Sequence, residues 1–172
     1  GSIVFKYTDK EKFNLFSIHI YKDRWVYVTE NSEEIPVNKH DFSIVLNGQK
    51  ITFDCVFNAI HGSPGEDGLM QSYFKLLGIP QTSCDAYQSA LTFNKRDLLS
   101  VLRPYGIKSA ASYYLNLGDK INENTIISKV GLPCFVKANK AGSSFGISKV
   151  YKKEDLKAAI ENAYKEDDEI II

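Results

Sequence analysis

Cysteine is scarce and widely spaced in this chain: Cys55, Cys84 and Cys134 are odd in number, and no Cys-x-x-Cys pair occurs. With only three histidines, His19, His40 and His61, this argues against a disulfide scaffold or a zinc site and fits a reducing cytosol. An excess of either charge is also lacking. The 21 basic and 21 acidic residues cancel, so the chain lacks the positive footprint of a general nucleic-acid binder. No run has the length and apolarity of a membrane span or a secretory leader, and there is no internal repeat, heptad register or low-complexity tract. Two common phosphate signatures are missing too: no glycine-rich run leads to Gly-Lys-Ser or Gly-Lys-Thr, and no Gly-x-Gly-x-x-Gly is present. What is there is 172 residues with 44% hydrophobic content, enough for one substantial domain or two small ones.

The patterning predicts a mixture of strands and helices. A helix is expected over 3–13, strands over 14–21 and 25–28, and a hairpin of 42–46 with 50–53 around Asn47-Gly48, a pair suited to positive backbone angles. Residues 54–60 read as a buried strand, 69–77 as an amphipathic helix ended by Gly78, and 85–102 as helical with a break near 92–95. Further on, 112–115 reads as a strand and 122–130 as a helix stopped by Gly131. Strands follow at 132–136 and 147–150, then a helix over 153–164 with Leu156, Ala159, Ile160 and Ala163 facing inward. A last apolar strand covers 169–172; its edge and side chains need a partner, so the chain is expected to be cut there.

Two loops carry the chemistry. Lys137 ends an apolar run and is followed by Ala138-Asn139-Lys140-Ala141-Gly142-Ser143-Ser144-Phe145-Gly146, whose N–H groups, hydroxyls and nearby ammonium suit a phosphate held over a hairpin. The competing reading gives Gly142 and Gly146 backbone freedom only and leaves Lys137 as a solvated strand end. The other loop, His61-Gly62-Ser63-Pro64-Gly65-Glu66-Asp67-Gly68, runs from a strand into a helix N-terminus. Glu66 and Asp67 there either cap the helix or serve an ammonium group, a metal-linked phosphate or the orientation of His61.

Taken in order, His61 to Gly68 with Gln71 and Gly78-Ile79-Pro80, Ala90 to Lys95, Gly131 to Lys137, and Gly142-Ser143-Ser144-Phe145-Gly146-Ile147 closely resemble the D-alanine–D-alanine ligase family of the ATP-grasp superfamily. The resemblance implies an α/β and α+β architecture: a partial amino-terminal pre-ATP-grasp domain over 1–87, then the central ATP-grasp subdomain over 88–172. It implies ATP-dependent joining of two D-alanine molecules through an acyl phosphate for peptidoglycan and cell-wall synthesis in the cytoplasm, with magnesium or manganese as cofactor. A homodimer and no nucleic-acid or membrane partner are expected.

By resemblance, Lys95 and Lys137 contact ATP phosphates, and Gly142, Ser143, Ser144 and Gly146 belong to a flexible loop over them. Ser143 also helps hold that loop closed, while His61 and Glu66 orient and stabilise near D-alanine. The family's usual Asp-Lys and Lys-Pro are here Asn94-Lys95 and Lys137-Ala138, and Ala138 is expected to loosen the loop. The family's first glycine-rich strand and its glutamate are expected before Ile3. Its adenine hinge, tyrosine, arginine and metal ligands are expected after Ile172, so no metal ligand is assigned here. The alternatives are a D-alanine–D-lactate ligase or a non-catalytic nucleotide-binding module. The 172-residue polypeptide alone is accordingly expected to give no D-alanine-dependent ADP release in a coupled assay with ATP and magnesium; family-like turnover would contradict this.

Overall fold

In the computed structural model, which describes residues 1–172, the chain forms two units: Gly1–Ile60 with Ser72–Ser83, and His61–Gln71 with Cys84–Ile172. In the first, a helix α1 (Ser2–Tyr7) precedes three antiparallel strands in the order β1 (Ile18–Ile20), β2 (Trp25–Val28) and β3 (Glu34–Pro36), followed by the hairpin of β4 (Ile44–Leu46) and β5 (Gln49–Ile51). The hairpin turn is the expected one, with Asn47 and Gly48 both at positive φ. Its core is aromatic. Phe42 meets Trp25, Phe53, Tyr73 and Phe74 edge-on, with ring centroids 4.9–6.3 Å apart, the geometry that ring quadrupoles favour.

Three local expectations differ from the structure here. The first helix stops at Tyr7 because Thr8 is extended and Asp9 accepts the N–H of Glu11, turning the chain. β3 was not foreseen, since Pro36 and its charged neighbours hide it; proline is tolerated because β3 lies at the sheet edge. Residues 54–60 are not a buried strand: a single parallel bridge, Val56 to Gln81, holds the segment, and Phe57 is exposed. Their apolar composition could not distinguish an extended connection from a strand.

The second unit is an antiparallel sheet in the order β6 (Tyr114–Asn116), β9 (Glu169–Ile171), β7 (Cys134–Ala138), β8 (Ser148–Val150). The apolar run at Ile170–Ile172 thus finds its partners on both sides within the chain. Strand alternation sends Cys134, Val136 and Ala138 of β7 into the core and Phe135 and Lys137 to the other face. Helices α5 (Glu123–Val130) and α6 (Leu156–Ala163) complete that core with Ile126, Leu156, Ile160 and Ala163, all fully buried. A 3-10 turn over Lys153–Asp155 replaces the first turn expected for α6.

The helical stretch 85–102 is broken as expected, into α3 (Ala86–Phe93) and α4 (Lys95–Leu102), each opened by a side-chain cap from Asp85 and Asn94 respectively. The remaining helix, α2 (Leu69–Leu77), has its first residues, Leu69–Gln71, in the second unit and the rest in the first. Because Ile160 is fully buried in the second core, Ile160→Ala is expected to lower unfolding free energy by about 2–5 kcal/mol, read as a lower urea midpoint.

Candidate functional site

Lys137 sits near the end of β7, not beyond it. The strand continues through Ala138, a buried residue paired with Ile170, so sheet pairing holds the root of the loop that follows. The loop of the β7–β8 hairpin therefore occupies 139–147. Within it Ser143 and Ser144 both take positive φ, 49° and 63°, conformations costing on the order of 1–2 kcal/mol apiece for non-glycine residues. Turn hydrogen bonds from Phe145 N–H to the Gly142 carbonyl and from Ile147 N–H to the Ser144 carbonyl hold this shape. Ser143, Ser144 and Phe145 are exposed. Gly146, at φ 65°, lies against the end of α6: a Cβ there would stand 2.9 Å from Cγ of Glu166, so both backbone angle and space favour glycine.

The 61–68 loop meets this hairpin loop within the same unit. A Cβ on Gly142 would lie 3.0 Å from Oε2 of Glu66, and that oxygen accepts the Gly62 N–H at 2.6 Å. Glu66 therefore closes its own loop and abuts the other. Asp67, instead, takes the cap-like role: it accepts the Leu69 N–H at 3.2 Å and the Ser63 hydroxyl at 2.5 Å. Gln71 is buried and donates to the Gly65 carbonyl at 2.6 Å. His61 is exposed at the start of the loop.

Lys95, the first residue of α4, is half-buried and donates to the carbonyls of Asn139 and Ala141 at 3.0 and 2.9 Å. Burial pushes its ammonium below the ordinary lysine value; the positive charge of Lys137 adds to this, and Asp167 opposes it. Lys137 itself lies with Nζ 5.4 Å from the centroid of the Phe135 ring on the half-open sheet face. The structure thus brings Lys95, Lys137, Glu66 and Gly142 into one unit, with two cations close enough to interact and two glycine-bearing loops in contact. Such a pair of ammonium groups beside a loop of exposed hydroxyls and N–H groups suits a polyanion.

Several residues that organise the site were not singled out from the sequence. Asn139 is fully buried and makes side-chain hydrogen bonds to Asn94, to the Arg96 N–H and to Glu169. Asn94-x-x-Asp97 is a legible capping pattern, but nothing local marks Asn139, whose partners lie 30–45 residues away. Burial raises the cost of the Glu169 charge, yet hydrogen bonds from Asn139 and Lys140 hold its carboxyl below the usual range. The Asp167 carboxylate accepts the backbone N–H groups of Lys140 and Glu169, at 2.6 and 3.2 Å.

The sheet with its helices and lysine-bearing hairpin is an ATP-grasp-like α/β fold. Residues 1–84 match the model described as the D-ala D-ala ligase N-terminus and residues 101–172 the D-ala D-ala ligase C-terminus. A D-alanine–D-alanine ligase of Flavobacterium johnsoniae is 70% identical over the whole chain, which covers 53% of that protein. Among solved structures, VanG D-Ala:D-Ser ligase from Enterococcus faecalis is 32% identical with a TM-score of 0.75, over 99% of this chain and 55% of that one. D-alanyl-alanine synthetase A from Vibrio cholerae is 26% identical with a TM-score of 0.79, over 94% and 49%. The chain belongs to the D-alanine–D-alanine ligase family and spans about half the length of the curated relatives it matches.

A lowered carboxyl pKa stabilises the fold above the ordinary glutamate range and ceases to do so as pH falls through the folded-state value. Wild type is therefore expected to exceed Glu169→Gln in urea midpoint at neutral pH, with the difference vanishing on acidification; a pH-independent difference would show that the Glu169 charge is not what matters.

Proposed function

We propose that the protein carrying this chain joins two D-alanine molecules at the expense of ATP, supplying the dipeptide for peptidoglycan in the cytoplasm. The carboxylate of one D-alanine takes the γ-phosphoryl group, the amine of the second attacks the resulting acyl phosphate, and ADP and phosphate leave. The observation that carries this reading is that Lys95, in electrostatic reach of Lys137, grips the 139–147 loop, which in turn rests through Gly142 against Glu66. Membership of the ligase family supports this chemistry for such an arrangement.

In this reading Lys95 and Lys137 offset charge on the transferring phosphoryl group, a role for which two ammonium groups in partial burial are suited. The 142–146 segment covers the phosphates and keeps water from the acyl phosphate, with Ser143 and Ser144 offering hydroxyls as well as N–H groups. Glu66 and His61 orient the D-alanine end. Magnesium would neutralise phosphate charge, but no group of three His, Cys, Asp or Glu side chains stands together here, so its ligation is assigned to no residue of this chain. No helix is long and apolar enough to cross a membrane. A homodimer is part of the same proposal.

With the protein carrying this chain, ATP and magnesium, phosphate release is expected only when D-alanine is present, and Lys95→Met or Lys137→Met is expected to lower kcat/KM on the order of 100-fold. A preference for D-serine or D-lactate as second substrate would shift the assignment to a neighbouring ligase, and nucleotide binding without turnover would favour a non-catalytic module.

A further inference from the structure

Helix α4 begins at Lys95, so whatever fixes its first turn also fixes the root of that side chain. The opening N–H groups of a helix have no partner within the helix. Three of them are satisfied here from two places: Asn94 Oδ1 accepts the Asp97 N–H at 3.1 Å, as a local cap, while the Arg96 N–H goes to Asn139 Oδ1 at 2.8 Å and the Lys95 N–H to the Asn139 carbonyl at 3.4 Å. Asn139 lies 43 residues further along the chain, two residues after Lys137. Its amide nitrogen donates to Asn94 Oδ1 and to Glu169 Oε2, both at 2.8 Å, and its carbonyl accepts from Lys95 Nζ at 3.0 Å. With 0% of the residue exposed, water cannot replace these partners.

We propose that Asn139 is a positioning residue that sets Lys95 against Lys137, by capping the helix of one lysine from the strand end that carries the other. The inference rests on the phosphate role given to these lysines above. The carboxamide is the right chemistry for the place. An N–H on one side demands an acceptor, while an amide oxygen and a carboxylate on the other demand donors. Aspartate supplies no donor and would face Glu169 with a second carboxylate; alanine leaves the Arg96 N–H buried without its partner. The hairpin loop is held through the same point, because the Lys95 ammonium that grips the Asn139 and Ala141 carbonyls moves with the first turn of α4.

The test uses the full protein carrying this chain. Asn139→Ala is expected to raise KM for ATP about 10-fold and to lower kcat, with KM for D-alanine changed by less than about twofold. Asn139→Asp is expected to behave as badly, and adding Glu169→Gln to it to recover part of the loss, since the glutamine amide then donates to the new carboxylate while Asn94 Oδ1 still lacks its donor. The pair also serves if Asn139→Ala does not fold. Independently of turnover, NMR titration of labelled Lys95 is expected to show its pKa returning toward the ordinary lysine value in Asn139→Ala. A folded Asn139→Ala protein that loses only melting temperature, with KM for ATP and the Lys95 titration unchanged, would reduce Asn139 to a structural role and overturn the inference. If the wild type shows no D-alanine-dependent turnover, the functional reading fails, and the Lys95 titration still decides whether Asn139 positions that lysine.

Discussion

The alternation of side chains along β7 is the constraint on which the second unit depends. Successive residues of a strand must point to opposite faces, so Cys134, Val136 and Ala138 enter the core while Phe135 and Lys137 are left on the half-open face. One five-residue strand therefore anchors the sheet and presents a cation at its surface. Its pairing with β9 at Lys137 and Ala138 keeps that register to the last residue before the loop. A slip of one residue would bury the lysine and expose the apolar set, so packing of the core and placement of Lys137 are secured together.

Rigid pairing ends at Asn139, where a buried polar joint takes over. The joint ties β7, β9 and the start of α4 through a single carboxamide whose donors and acceptor are all used. Buried polar groups are costly when left unpaired and specific when satisfied. Beyond the joint the chain is exposed from Ser143 to Phe145 and relies on a few turn hydrogen bonds. A fixed root and a lightly held tip suit the closure over phosphates proposed for this loop.

Much of the element pattern was readable because it is local. Asn47-Gly48 announces its hairpin, Gly131 its helix stop, and Leu156, Ala159, Ile160 and Ala163 their buried face. Reading failed where composition and environment part company. Residues 54–60 are apolar but make one bridge only, and Glu34-Ile35-Pro36 looks like a loop yet pairs with β2. Around the site, the lysines and small residues of the loops stand out by type and order, whereas Asn139 does not, since an asparagine after a strand usually means a turn.

The sequence by itself determined which residue types occur in which order: two lysines, two glycine-bearing loops, apolar faces at strand and helix spacing, and the family they belong to. Those depend on side-chain chemistry and on neighbours a few residues apart. Only the tertiary structure decided that Glu66 rests against Gly142, that Lys95 grips the carbonyls at 139 and 141, and that Asn139 caps a helix begun 44 residues earlier. These contacts join groups whose separation along the chain carries no periodic signal, and they exist only once the fold has brought the end of β7 to the start of α4.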